Sequence, residues 1–112
     1  MGTLLLPYLF IFLGVIEIIF SIPFIYGRIP PNKIIGFQIR ETYNNKDLWY
    51  KVNRYSGRDL LAAGILILFM GVIFFFLKVE LLMGFIVGFW FAVIPLIVVS
   101  IRSYLFLRRE VK

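Results

Sequence analysis

Three long apolar stretches separated by polar segments make up most of the chain. The apolar stretches cover about residues 3–26, 60–77 and 81–101. A helix needs about 20 mainly apolar residues to cross the hydrocarbon core of a bilayer. The pattern therefore predicts an all-α membrane protein with three transmembrane helices, which form a single membrane domain over residues 1–112.

The polar segments predict how these helices are connected. Residues 78–80 leave room only for a tight turn, so the second and third spans should form an antiparallel hairpin. The first and second spans are joined by a long loop, residues 27–59, and residues 102–112 form a tail. No basic residue precedes the first apolar run, which also contains Glu17, so we expect a retained span and not a cleaved signal peptide.

The second half of the long loop has helical periodicity. Asn44 is a suitable N-cap, and Leu48, Val52 and Tyr55 share one helical face with Trp49 beside them. Basic residues are interleaved with these, namely Lys46, Lys51, Arg54 and Arg58. This pattern is typical of an amphipathic helix that lies at the level of the lipid headgroups. We expect such an interfacial helix between the first and second spans, running into the second span near Gly57.

Composition and charge agree with a membrane protein and predict its orientation. Hydrophobic residues make up 62% of the chain and charged residues 16%, against about 25% charged in a typical soluble domain. Of the 12 Lys and Arg residues, all but Lys78 lie in the loop or the tail. Basic residues favour the cytoplasmic side. We therefore expect a multi-pass protein of the cell membrane with a cytoplasmic loop and C-terminus and an external N-terminus.

The same charge distribution bears on partners and chemistry. A net charge of +6 is explained by topology, so we expect anionic lipid headgroups as partners and no nucleic acid. The chain has no Cys and no His, which excludes disulfides, thiol chemistry and the usual metal sites. The loop carboxylates, Glu41, Asp47 and Asp59, lie among basic residues. We expect no enzyme, no cofactor and no metal.

A series of short motifs runs through the loop. Pro31-Asn32 follows the first span, then Ile35-Gly36-Phe37, and Trp49, Asn53 and Gly57 follow at intervals of four that place them on one helical face. The order and spacing resemble those of the SdpI-like membrane proteins. Their pattern has Arg and Thr where this chain has Gln38 and Ile39, with Arg40 close behind.

The resemblance implies immunity to, or sensing of, membrane-active peptides through the cytoplasmic loop. The candidate binding surface is Asn32, Gly36, Gln38, Arg40, Trp49 and Asn53. Purely structural roles stay open for three of these: Asn32 could shape a turn after Pro31, Trp49 could anchor the interface, and Asn53 could bridge loop backbone.

Two further features point to other classes of function. Glu17 is the only charged residue within a span, which suggests a structural contact within the bundle, a contact with a partner, or a proton-coupled small exporter. Small residues recur along the second and third spans, at Gly57, Gly64, Gly71, Gly84, Gly88 and Ala92. Such stripes let helices approach closely, within the bundle, between copies in a homo-oligomer, or against a larger complex of which this chain would be an accessory subunit.

Overall fold

The computed structural model describes residues 2–36, 42 and 44–111, and three long helices account for most of them. Helix α1 is Gly2–Ile25, α2 is Lys46–Phe76 and α3 is Leu81–Val111. All three are long and apolar enough to cross a membrane, which confirms the predicted all-helical, three-span architecture. The bundle is elongated, with extents of 50 × 23 × 19 Å.

Helix α1 ends in a cap built around a glycine. Gly27 has a φ of +67°, which places it in the left-handed region that favours glycine. The Gly27 N–H donates to the Phe24 carbonyl and the Arg28 N–H to the Pro23 carbonyl, at 3.2 and 2.8 Å. This pair of bonds is the Schellman arrangement. The Arg54 Nε of α2 donates to the Ile25 carbonyl at 3.0 Å, so a side chain from the first turns of α2 also caps α1.

Helix α2 starts one residue later than an Asn44 cap would place it and runs without a break. The cap is Asn45, whose Oδ1 accepts a hydrogen bond from the Leu48 N–H at 3.1 Å. The amphipathic stretch before residue 60 therefore belongs to the same helix as the second span. Its Val52 is buried and its Lys and Arg side chains are exposed. Where this stretch lies relative to a membrane surface stays a prediction.

Helix α3 extends well past residue 101, so the predicted tail is largely helical. Two ion pairs hold this extension against α2: Lys51–Glu110 and Arg102–Asp59, each at 2.7 Å. Between them the rings of Tyr55 and Phe106 stack, with centroids 4.2 Å apart. The structure therefore places the start of α2 and the end of α3 at the same end of the bundle, which we call the loop end.

The glycines of α2 lie against α1. A Cβ added to Gly14 would lie 2.7 Å from the Gly64 carbonyl oxygen and 2.7 Å from the Leu68 nitrogen, so the two backbones cross in direct contact. Gly57 faces the Ser21 carbonyl at the loop end, and Gly71 faces Ile11 at the other end. Every seventh residue of α2 thus allows α1 to pack closely along most of its length.

Two glycines of α3 pack against α1 at the end opposite the loop. There Gly84 lies against Leu6 and Gly88 against Phe10, while Ala92 packs against the same core cluster. That cluster consists of Leu6, Phe10, Ile67 and Met70. Otherwise α1 and α3 share few contacts and each packs mainly on α2. The helices therefore leave a cleft between α1 and α3 toward the loop end, with α2 as its floor.

Candidate functional site

The first part of the loop is folded around the side chain of Asn32. Its Oδ1 accepts hydrogen bonds from the N–H groups of Ile34 and Ile35, at 2.9 and 2.8 Å. Its Nδ2 donates to the Pro30 carbonyl at 2.8 Å. Asn32 therefore uses both ends of its amide to close a turn after the two prolines, which is how Asn commonly stabilises turns.

Trp49 ties this loop to α2. Its side chain is fully buried, at 0% exposure, and its indole Nε1 donates to the Ile29 carbonyl at 2.9 Å. The ring lies beneath the loop and not at an exposed boundary. Trp49 consequently contributes to the site by positioning backbone, since no part of its surface is open to a ligand.

Asn53 and Gly36 complete the contact between loop and helix. Gly36 has a φ of +108°, and a Cβ there would lie 2.9 Å from Asn53 Oδ1 and 3.0 Å from Trp49 Cη2. Asn53 is 3% exposed, and its Nδ2 donates to the Trp49 carbonyl at 3.0 Å. Glycine is required here both by the backbone angle and by the close approach of two buried side chains.

Two exposed apolar side chains follow the Asn32 turn. Ile34 is 87% exposed and Ile35 is 38% exposed, directly after the Asn32 turn. The sequence pattern drew attention to Ile35 only as part of the Ile35-Gly36-Phe37 motif, and it predicted the exposure of neither residue. The available signal was a pair of adjacent large apolar residues in a short stretch bounded by Pro31 and Gly36. The loop thus presents hydrophobic side chains from a backbone held by Asn32 and Trp49.

Of the predicted binding residues, the structure brings Gly36, Trp49 and Asn53 into direct contact and places Asn32 in the adjoining turn. Gln38 and Arg40 lie outside the described residues. The basic residues Arg28 and Lys33 flank the turn and are exposed.

Glu17 lies apart from the loop, on α1 beside the glycine crossing. A Cβ on Gly64 would lie 3.1 Å from its Cβ. Its Oε1 is buried and has no hydrogen-bond partner within the described part of the chain. Over the same residues, no group of three acidic, His or Cys side chains could hold a metal ion.

A cavity of about 250 Å³ occupies the cleft between α1 and α3 at the loop end. The Ser56 and Ser103 hydroxyls, from α2 and α3, hydrogen bond to each other at its wall. The cavity is lined by Phe24, Gly36, Asn53, Ser56, Gly57, Leu60, Val99, Ser100 and Ser103. It therefore shares Gly36 and Asn53 with the loop contact just described.

These features define a three-helix membrane protein in which a structured loop is fastened to the start of the second helix. The chain belongs to the SdpI/YfhL protein family, whose model matches residues 28–101. The match begins after α1 and covers the loop from Arg28, all of α2, and α3 as far as Ile101. Neither a comparison with curated proteins nor one with solved structures gave a match.

Proposed function

We propose that this protein protects the cell from membrane-active peptides, or senses them, through the loop held on Trp49. The observation that carries the proposal is the family match over residues 28–101, which includes the whole described loop and the helix that anchors it. The family is named for immunity to a peptide of this kind. The chemistry of the loop is consistent with such a ligand.

The loop offers complementary features for an amphipathic peptide. The exposed Ile34 and Ile35 supply an apolar contact, and the exposed Arg28 and Lys33 supply positive charge next to it. The three hydrogen bonds of Asn32 hold the turn before binding. A preformed surface loses less conformational entropy when it binds, which favours affinity.

We place the loop end on the cytoplasmic side of the cell membrane. The loop, the start of α2 and the end of α3 lie at one end of the bundle, and nearly all basic residues belong to these segments. Basic residues in short loops determine orientation in this way. The exposed Lys46, Lys51, Arg54 and Arg58 would then face anionic headgroups.

A survival assay tests the proposal. Cells that express the wild type, Glu17→Gln or the double variant Trp49→Ala/Asn53→Ala are challenged with membrane-active peptides and, separately, with toxic lipophilic cations. Membrane abundance is matched by immunoblot. Peptide protection that is present in the wild type and in Glu17→Gln, but lost in the loop variant, supports immunity through the loop.

The same assay distinguishes the other functions. The unpartnered Glu17 oxygen favours proton-coupled export as the second candidate, because an ionisable group within a span commonly marks a transport pathway. If the wild type protects cells from the cations and Glu17→Gln does not, the result would support export and not immunity as the function. No protection from either challenge would favour an accessory subunit, and purification of the larger complex would follow.

A further inference from the structure

The cavity at the loop end is amphipathic along its length. Phe24, Leu60 and Val99 form apolar walls, whereas Ser56, Ser103 and Asn53 supply neutral polar groups. None of its lining residues is charged. Asn53 is 3% exposed and Ser103 is 0% exposed, while Ser56 is half-buried, so the polar side is largely shielded from solvent.

The hydroxyl pair leaves a donor for a ligand. The hydrogen bond between Ser56 and Ser103 uses one of their two hydroxyl hydrogens. Because Ser103 is fully buried and Ser56 is half-buried, Ser103 can donate to Ser56, and the Ser56 hydrogen can then be donated to an acceptor in the cavity. An ester carbonyl is such an acceptor, and it carries no charge that would need a charged partner.

The position and size of the cavity indicate what kind of molecule fills it. At about 250 Å³ it is smaller than the pockets of about 300–1,000 Å³ that enclose small ligands, so it holds only part of its occupant. The cleft is bounded by three membrane-spanning helices and is closed at the far end by Leu6 and Phe10 against Gly84 and Gly88. The rest of the occupant therefore extends between α1 and α3 toward the bilayer.

We infer that this cleft binds one anionic phospholipid. Its acyl chain lies along Phe24, Leu60 and Val99, and a glycerol ester carbonyl accepts a hydrogen bond from the Ser56–Ser103 pair. The headgroup projects from the loop end, where the exposed Arg28 and Arg58 favour negative charge. This lipid site does not depend on the proposed function, because it makes no use of peptide recognition.

Fluorescence quenching by brominated lipid tests the inference. The chain has 2 Trp, so Trp90→Phe leaves Trp49, whose ring lies against Gly36 at the edge of the cavity. This variant is reconstituted in phosphatidylcholine vesicles that contain a small fraction of phosphatidylglycerol, with bromine on the acyl chains of one lipid or the other. The two samples contain the same fraction of brominated lipid. We expect Trp49 fluorescence to be quenched more strongly when the brominated lipid is phosphatidylglycerol than when it is phosphatidylcholine.

Two substitutions in this background separate the cavity from general attraction to the basic surface. Ser100→Phe adds a ring to the cavity wall at an exposed position and should abolish the excess quenching. Ile97→Phe adds a ring at an exposed position of α3 outside the cavity lining and should retain the excess. Ser56→Ala removes a hydroxyl without adding bulk and should reduce the excess. Thermal unfolding followed by circular dichroism checks that each variant is folded. Equal quenching by the two lipids, or an excess that survives both Ser100→Phe and Ser56→Ala, would overturn the inference.

Discussion

The indole N–H of Trp49 donates a hydrogen bond to the carbonyl oxygen of Ile29, 20 positions earlier in the chain. This bond joins the start of the loop to the first turns of α2. Gly36 and Asn53 make a second contact beside it, so the loop is held at two points along its described length. Residues 29–36, at the start of the segment that the family shares, are therefore packed on the first turns of α2.

The Trp49 hydrogen bond should be measurable as stability. Trp49→Phe keeps an aromatic ring in the buried site but leaves the Ile29 carbonyl without its donor. We expect the free energy of unfolding to fall by about 0.5–1.5 kcal/mol, the usual net contribution of a hydrogen bond, because the Ile29 carbonyl is half-buried. Denaturant titration in detergent micelles measures it. Trp90→Phe, at a residue that is 52% exposed, is the matched control and should change little.

The contact between α1 and α2 should tolerate no additional atoms at Gly14. Gly14→Ala would place a Cβ 2.7 Å from two backbone atoms of α2, and backbone cannot move aside as a flexible side chain can. We expect a loss of about 1–3 kcal/mol, typical of overpacking. Ala62→Val adds two methyl groups at an exposed position of α2 and should cost less than about 0.5 kcal/mol. Equal costs for the two variants would contradict the close crossing of α1 and α2.

The packing of the α3 extension against α2 should depend more on the stacked aromatic rings than on the exposed ion pair. Lys51 and Glu110 form an exposed ion pair, with 57% and 30% of their side chains accessible, so Lys51→Ala should cost no more than about 0.5 kcal/mol. Tyr55→Ala removes the ring stacked on Phe106 and should cost at least about 1 kcal/mol. Both values come from the same titration. A larger loss for Lys51→Ala would show that the charged pair dominates.

The predicted orientation can be tested because the chain has no native Cys. Lys78→Cys places a single thiol in the turn between α2 and α3, and Arg109→Cys places one near the end of α3. In intact cells a membrane-impermeant maleimide should label the first variant only. After permeabilisation it should label both. Labelling of the Arg109→Cys protein in intact cells would place the end of α3 outside the cell and would contradict the predicted orientation.

The number and type of helices could be predicted because the apolar stretches are long enough to exclude other membrane folds. Helix ends were less predictable, since α3 continues past residue 101 through contacts with α2 that involve Asp59, Tyr55 and Lys51. Hydropathy does not register such contacts. Periodicity also located the glycine stripes, but only the structure shows that Gly64 and Gly88 face α1.

The candidate site could be predicted in part. The spacing of Trp49, Asn53 and Gly57 identified one face of α2, and the structure shows that this face is buried under the loop and α1. The roles of Ile34 and Ile35 were missed because exposure depends on the turn that Asn32 forms. Nor does any local pattern bring Ser56 together with Ser103, because their contact depends on how α2 and α3 pack.

The central claim is that the exposed side chains of Ile34 and Ile35 confer protection from membrane-active peptides. Its most direct test is to challenge cells with membrane-active peptides and to measure their survival. Cells that carry Ile34→Asn/Ile35→Asn are compared with cells that carry Ile34→Leu/Ile35→Leu, at equal abundance of the two variants in the membrane. Both variants leave the Asn32 turn and the Trp49 bond in place. We predict that the Asn variant loses protection and that the Leu variant retains it. Equal protection in both variants would contradict the account.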